Sequence, residues 1–95
     1  MEIDHFLYHY RQFHKEFFPN ITPGQKLNKL CEEIEEHINA VNEGDKPDII
    51  SETIDVMNTS IAYLVSMGVN DPLDAGWRKL QFTANKYRAE RAANV

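Results

Sequence analysis

Carboxylates dominate the middle of this chain, and their spacing is regular. Glu32-Glu33-Ile34-Glu35-Glu36 is separated by fifteen residues from Glu52-Thr53-Ile54-Asp55. In each half two acids stand three apart, Glu33 with Glu36 and Glu52 with Asp55, a spacing that puts side chains on one helical face. Between them runs Asn42-Glu43-Gly44-Asp45-Lys46-Pro47-Asp48, with Gly where a helix stops and Pro near where the next begins. Folded into an antiparallel hairpin about Gly44, Glu33 and Asp55 each lie eleven residues from the turn, and Glu36 and Glu52 each lie eight. At roughly 1.5 Å of rise per residue, equal counts are equal heights. Four carboxylates converging about two turns from the loop would repel one another and raise one another's pKa. A hard divalent cation with oxygen ligands removes that repulsion. The spacing therefore predicts a metal site with Glu33, Glu36, Glu52 and Asp55 as ligands, Mg²⁺ being the expected ion and Mn²⁺ its substitute. A Glu-rich helix ordinarily presents a solvated face, and that is the competing expectation; two pairs mirrored about one helix-breaking loop argue against it.

Four helices and no strand are expected to position these acids. The first spans about Asp4 to Phe17, where Phe6, Tyr10, Phe13 and Phe17 recur at helical spacing. His5 and His9 lack the glutamate of an H-E-x-x-H metal motif and read as partly exposed helix residues. Phe18-Pro19 ends the helix, since the residue before proline avoids helical geometry. Thr22-Pro23-Gly24-Gln25 opens the second helix as a capping box. Its expected core stripe is Leu27, Leu30, Ile34, Ile38 and Val41. Glu33 borders that stripe, Glu36 lies about 60° further round, and Glu35 falls on the solvent flank. The third helix is capped by Asp45 or Asp48 and ends near Gly68, with Ile50, Ile54, Met57, Ile61, Leu64 and Val65 as its apolar face. Thr59, Ala62 and Ser66 continue the line of Glu52 and Asp55. A solvated face would ordinarily carry long charged residues there, so these small ones predict a ligand or a neighbouring helix on that side. Asp71-Pro72-Leu73-Asp74 opens the fourth helix, with Leu73, Trp77, Leu80, Ala84 and Tyr87 as its inner stripe. Half of the ten basic residues fall in the last eighteen positions: Arg78, Lys79, Lys86, Arg88 and Arg91. Cations favour a helix C-terminus, and they also bind phosphate oxygens.

Composition narrows the classes. Ninety-five residues with 42% hydrophobic content make one small globular domain, residues 1–95, whose modest core favours oligomerisation. A net charge of −5 argues against a general nucleic-acid binder. No apolar run approaches a membrane span. Met1-Glu2-Ile3-Asp4-His5 lacks the features of a secretory signal, and the single Cys31 fits a reducing, cytoplasmic setting as a small buried side chain.

The motif Glu32-Glu33-x-x-Glu36, a spacer, then Glu52-x-x-Asp55 resembles that of the MazG-like all-α nucleotide pyrophosphohydrolases. That group includes MazG, the dCTP pyrophosphatases, the dimeric all-α dUTPases and phosphoribosyl-ATP pyrophosphatase. Arg11-Gln12-Phe13-His14 resembles, in shortened form, a segment that helps form the base pocket of dCTP-pyrophosphatase-type members. Asn85-Lys86-Tyr87-Arg88 resembles the phosphate-contacting end of relatives. Two positions depart from the pattern: Glu35 stands where a small residue is usual, and Thr59 where an aromatic is common. The resemblance implies an all-α, four-helix MazG-like bundle with the hairpin at its core, completed by oligomerisation as a homodimer or homotetramer. It implies Mg²⁺-dependent hydrolysis of a (deoxy)nucleoside triphosphate to the monophosphate and pyrophosphate. Glu32 and Glu33 are the expected catalytic acids, with Glu32 orienting water. Lys79, Asn85, Lys86 and Arg88 are the expected phosphate contacts, and Phe13 and His14 the expected base pocket. His37 is expected to support the acids rather than ligate. Phosphoribosyl-ATP pyrophosphatase activity and a non-enzymatic helical interaction module are the alternatives; the absence of E-x-x-H pairs on facing helices disfavours a di-iron bundle.

Overall fold

A computed structural model describes residues 2–94 of the chain. It contains α1 (Ile3–Phe17), α2 (Pro23–Glu43), α3 (Lys46–Ser66) and α4 (Pro72–Ala93), with no strand among the described residues. The local signals in the sequence account for the ends. Thr22 accepts from the Gln25 amide at 3.2 Å while the Gln25 side chain accepts from the Thr22 amide at 2.9 Å, closing the capping box. Asp71 accepts from the Asp74 amide at 3.0 Å ahead of Pro72. Asp45 holds the cap position of α3 but makes no side-chain cap bond, and Asp48 lies within the first turn.

Helices α2 and α3 form the antiparallel hairpin at the centre. The turn is tighter than the sequence suggests: only Gly44 and Asp45 separate the helices. Gly44 makes this possible with φ of 80°, a left-handed conformation that a β-carbon disfavours, while its amide donates to the Ala40 carbonyl at 3.0 Å. Side-chain bonds fasten α1 to the hairpin. The Tyr10 hydroxyl donates to the Asn58 carbonyl at 2.8 Å, and the Arg11 guanidinium donates to the Asn70 carbonyl in the α3–α4 connection. The fourth helix touches α3 near its start and is otherwise mostly exposed.

Burial departs from the expected stripes. Among the described residues Leu7, Ala40, Ile61, Ala62 and Pro72 are the buried apolar ones, joined by Lys26 and Glu33. Leu27, Ile34, Ile38 and Val41 of α2 are exposed, as are Ile50, Ile54 and Met57 of α3, and Leu73, Trp77, Leu80 and Tyr87 of α4. Phe13 and Phe17 are exposed as well, whereas Tyr10 and His14 are half-buried. The reason is geometric. The hairpin closes through the face carrying Lys26, Leu30, Glu33, His37 and Ala40, spaced by four and three, and not through the neighbouring face that carries the larger aliphatics. On α3 Ile61 and Ala62 are buried, Ala62 being only 2% exposed, and Thr59, Ser60, Leu64, Val65 and Ser66 are half-buried. Cys31, expected inside, is exposed because it lies about 140° round α2 from Lys26.

The single chain is consequently open. Its radius of gyration is 16.5 Å, against about 12 Å for a compact chain of this length. It exposes 7382 Å² where a compact monomer of its mass exposes about 5,600 Å².

Candidate metal centre and nucleotide cavity

The two-residue turn sets the register of the hairpin, and the register brings acids together. Carboxylate oxygens of Glu33, Glu36 and Glu52 lie within 4.8 Å of one another. Glu33 is buried, Glu52 half-buried and Glu36 exposed, so the group spans the seam of the hairpin from inside to outside. Asp55 is not part of this close group; it lines the adjoining cavity together with Glu32 and Glu33.

Two observations indicate that these oxygens suit a cation. Glu33 Oε2 and Glu52 Oε2 are buried and without a hydrogen-bond partner. A desolvated carboxylate oxygen with no donor is costly, and a hard divalent ion with oxygen ligands removes that cost. The charge of Glu33, then desolvation, then the charge of Glu52 also hold the Glu36 carboxyl above the ordinary glutamate value. Repulsion of this kind disappears when a positive charge sits among the acids. Part of that role falls to Lys29, whose ammonium lies 3.0 Å from Glu33 Oε1 and 3.8 Å from Glu32 Oε2. The bond to Glu33 raises the Lys29 pKa above its usual value, with the attraction of that carboxylate second.

Beside the acids opens a cavity of about 570 Å³ between α1, α2 and α3. Its walls divide by chemistry. Glu32, Glu33 and Asp55 contribute carboxylates; Phe13, Phe18 and Ile21 supply apolar surface. His14, Tyr10, Lys26 and Asn58 form a polar strand within it. His14 Nε2 lies 3.0 Å from the Tyr10 hydroxyl and 3.0 Å from the Lys26 ammonium. Lys26 also sits over the Phe18 ring, 4.7 Å from its centroid, a cation–π distance. Burial pushes the Tyr10 hydroxyl up to about 12. Burial first, and the Lys26 charge second, hold the His14 imidazole below its ordinary value, favouring the neutral ring.

The expected site residues thus fall into three groups. Glu33, Glu36 and Glu52 are gathered; Asp55, Glu32, Phe13 and His14 line the cavity alongside. Lys79, Asn85, Lys86 and Arg88 do not line it: they lie on exposed α4, where Arg88 donates to Asn85 Oδ1 at 3.0 Å and Lys79 lies over Phe82. His37 stands outside the carboxylate group, its Nδ1 lying 3.3 Å from the Thr53 hydroxyl. His5 and His9 are both exposed, with their Nε2 atoms 3.2 Å apart. Sequence reasoning missed Lys26, Lys29 and Asn58. Lys29 was detectable as the cation three and four residues before two motif acids. Lys26 carried only the four-and-three spacing to Leu30 and Glu33.

Hairpin, carboxylate group and adjoining cavity together define a helical protein with a close acidic group beside a partly aromatic cavity. A family model for phosphoribosyl-ATP pyrophosphohydrolase matches residues 4–83, and the chain belongs to that family, within the MazG-like all-α NTP pyrophosphohydrolase superfamily. The family consists of nucleotide pyrophosphohydrolases, hydrolases acting on a phosphoric anhydride. No curated protein and no solved structure matches the chain. Among the described residues no helix is long and apolar enough to cross a membrane.

Proposed function

We propose that the chain is a cytoplasmic, Mg²⁺-dependent pyrophosphohydrolase that cleaves a (deoxy)nucleoside triphosphate to the monophosphate and pyrophosphate. The observation that carries this reading is the trio of carboxylates within 4.8 Å, two of them with orphaned buried oxygens, beside a cavity with aromatic walls that Glu33 also lines. Glu33, Glu36, Glu52 and Asp55 are the residues that would hold Mg²⁺, with Mn²⁺ as a substitute. The bound ion supplies the positive charge that lets a polyanion approach acids and that stabilises charge developing on the phosphoryl oxygens. The protein's own task is then chiefly positioning. Glu32, which lines the cavity and is largely exposed, orients the attacking water and accepts its proton as the new P–O bond forms and the anhydride bond breaks. Phe13 and His14 border the base.

Assembly belongs to the same reading. The chain exposes roughly 1,800 Å² more than a compact monomer, and apolar faces of α2, α3 and α4 account for much of what is uncovered. A homodimer or homotetramer covers those faces. Lys79, Asn85, Lys86 and Arg88 would then meet the phosphates from the α4 of a second copy, since they lie apart from the acids of their own chain.

The family match favours a second reading in which the substrate is phosphoribosyl-ATP. Both substrates carry a triphosphate cleaved at the same anhydride, so the acids serve either. The test is pyrophosphate release across the (d)NTPs and phosphoribosyl-ATP, with Mg²⁺ and with EDTA. Release from some substrate that stops with EDTA is expected. Release unaffected by EDTA would remove the metal from the mechanism, and none from any nucleotide would leave a helical binding module.

A further inference from the structure

The most unusual residue in the cavity has no part in the hydrolysis proposed above. Lys26 is 4% exposed, as buried as Leu7. Lysine is rarely so buried unless paired, because moving an ammonium out of water is costly. Yet among the ion pairs of the described residues, the carboxylates are matched to Lys29 and Arg78, and none to Lys26.

Its surroundings hold it firmly. An ammonium has three donors and no acceptor, so His14 Nε2, 3.0 Å away, must present its lone pair and carry its proton on Nδ1. The same nitrogen lies 3.0 Å from the Tyr10 oxygen, a contact that carries no hydrogen bond, because the Tyr10 proton goes to the backbone carbonyl of Asn58 at 2.8 Å. Phe18 covers another side of the ammonium. Lys26 is thereby bonded to α1, Tyr10 of α1 is bonded separately to α3, and Lys26 retains donor capacity toward the cavity it lines. A complementary group lines the same cavity: Asn58 Oδ1 is buried and has no donor. A donor with hydrogens to spare and an unmatched acceptor in one aromatic-walled cavity suit the edge of a planar heterocycle. Phe13, Phe18 and Ile21 supply apolar and aromatic surface against which such a heterocycle packs.

We propose that Lys26 is a specificity-determining residue that donates to an oxygen acceptor at the outer edge of the nucleotide base, with Asn58 Oδ1 taking the adjacent N–H. This rests on the nucleotide reading given above. The carboxamide of Asn58 can turn over to suit its partner, whereas the ammonium only donates, so Lys26 fixes the choice. Two sources supply such an oxygen. One is the ring carbonyl of a lactam base such as uracil or hypoxanthine. The other is the phosphate of a phosphoribosyl group carried on the edge of adenine.

The test compares wild type with Lys26→Met and Lys26→Arg on pairs differing only at that edge: UTP against CTP, ITP against ATP, and phosphoribosyl-ATP against ATP. Wild type is expected to prefer the oxygen-bearing member of at least one pair by roughly 10- to 100-fold in kcat/KM. Lys26→Met collapses that ratio toward one, and Lys26→Arg, which keeps a donor, retains part of it. Collapse in the carbonyl pairs identifies a lactam base, and collapse in the phosphoribosyl pair alone identifies the phosphate. A loss of equal size on every nucleotide, or a preference that survives in Lys26→Met, overturns the proposal. Calorimetric binding of α,β-methylene analogues, which resist cleavage, runs beside it in Mg²⁺, with helical content checked by circular dichroism. If no nucleotide is hydrolysed but Lys26 still governs binding preference, the hydrolytic reading fails and the lysine's role stands; no base preference in binding or turnover overturns the role itself.

Discussion

The acidic seam of the hairpin and the aromatic-walled cavity beside it fail electrostatically in opposite directions. In the seam negative charge is in excess: three carboxylates within 4.8 Å share a single neighbouring lysine and leave two buried oxygens without donors. In the cavity a positive charge is buried among aromatic rings with a neutral imidazole as its partner. Neither region is arranged for stability, since each leaves charge that a folded chain would prefer to hydrate or pair. Departures of this kind mark places where the sequence serves a ligand. A nucleotide bound as proposed above, polyanionic at one end and rich in acceptors at the other, would reconcile both regions with a cation at the first.

The contrast can be broken most severely at the acidic seam. Glu52→Gln should lower pyrophosphate release by about 100-fold or more, because it removes one of three converging charges with almost no change in shape. Mutant kinetics alongside far-UV circular dichroism check it, and near-wild-type turnover would take Glu52 out of the site. Next in size is the response to metal. Saturating Mg²⁺ should raise the thermal midpoint by several degrees, as any ligand of the native state does, and EDTA should reverse it. The rise should be absent in Glu52→Gln.

In the aromatic-walled cavity the expected sign is inverted. Lys26→Met should stabilise the protein by about 1 kcal/mol, a rise of roughly 4–8 °C, because a buried unpaired charge gives way to an apolar side chain of similar length. A lower midpoint would mean that the bonds to His14 outweigh the desolvation. The smallest effect concerns pH. The His14 imidazole in the folded state sits below its ordinary value of 6.5. Its contribution to stability is therefore complete above 6.5 and is lost as pH falls from there through the folded value. The thermal midpoint of His14→Phe should accordingly decline less between about pH 7 and pH 5 than that of wild type.

Much of the architecture was readable from the chain itself. Thr22, Gln25, Asp71 and the prolines after them fixed where helices begin through bonds confined to four residues, which depend on nothing distant. The convergence of Glu33, Glu36 and Glu52 followed from counting, because helical rise and a short turn leave little freedom. Tertiary choice was not readable. Both α2 and α3 carry a broad apolar face beside a mixed one, and the hairpin closes through the mixed one. Leu27, Ile34, Ile38 and Val41 are consequently exposed in the single chain. Asp55 shows the limit of counting on one helix: matched in height to Glu33, it lines the cavity instead of joining the trio. Lys26 was invisible for the opposite reason, since composition rules put lysine outside. The position of α4, with its basic residues apart from the acids, depends on surfaces that a lone chain does not supply.

The turn at Gly44 acts as a gauge for everything downstream of it. One residue added between Gly44 and Glu52 would swing Glu52 about 100° around α3 and shift it about 1.5 Å along the axis, dispersing the acids without disturbing a single cap. Length in this segment is therefore under tighter constraint than residue identity. Substitutions at Asp45, Lys46 or Asp48 are easily absorbed, whereas an insertion or deletion there would leave a well-folded helical protein whose acids no longer meet.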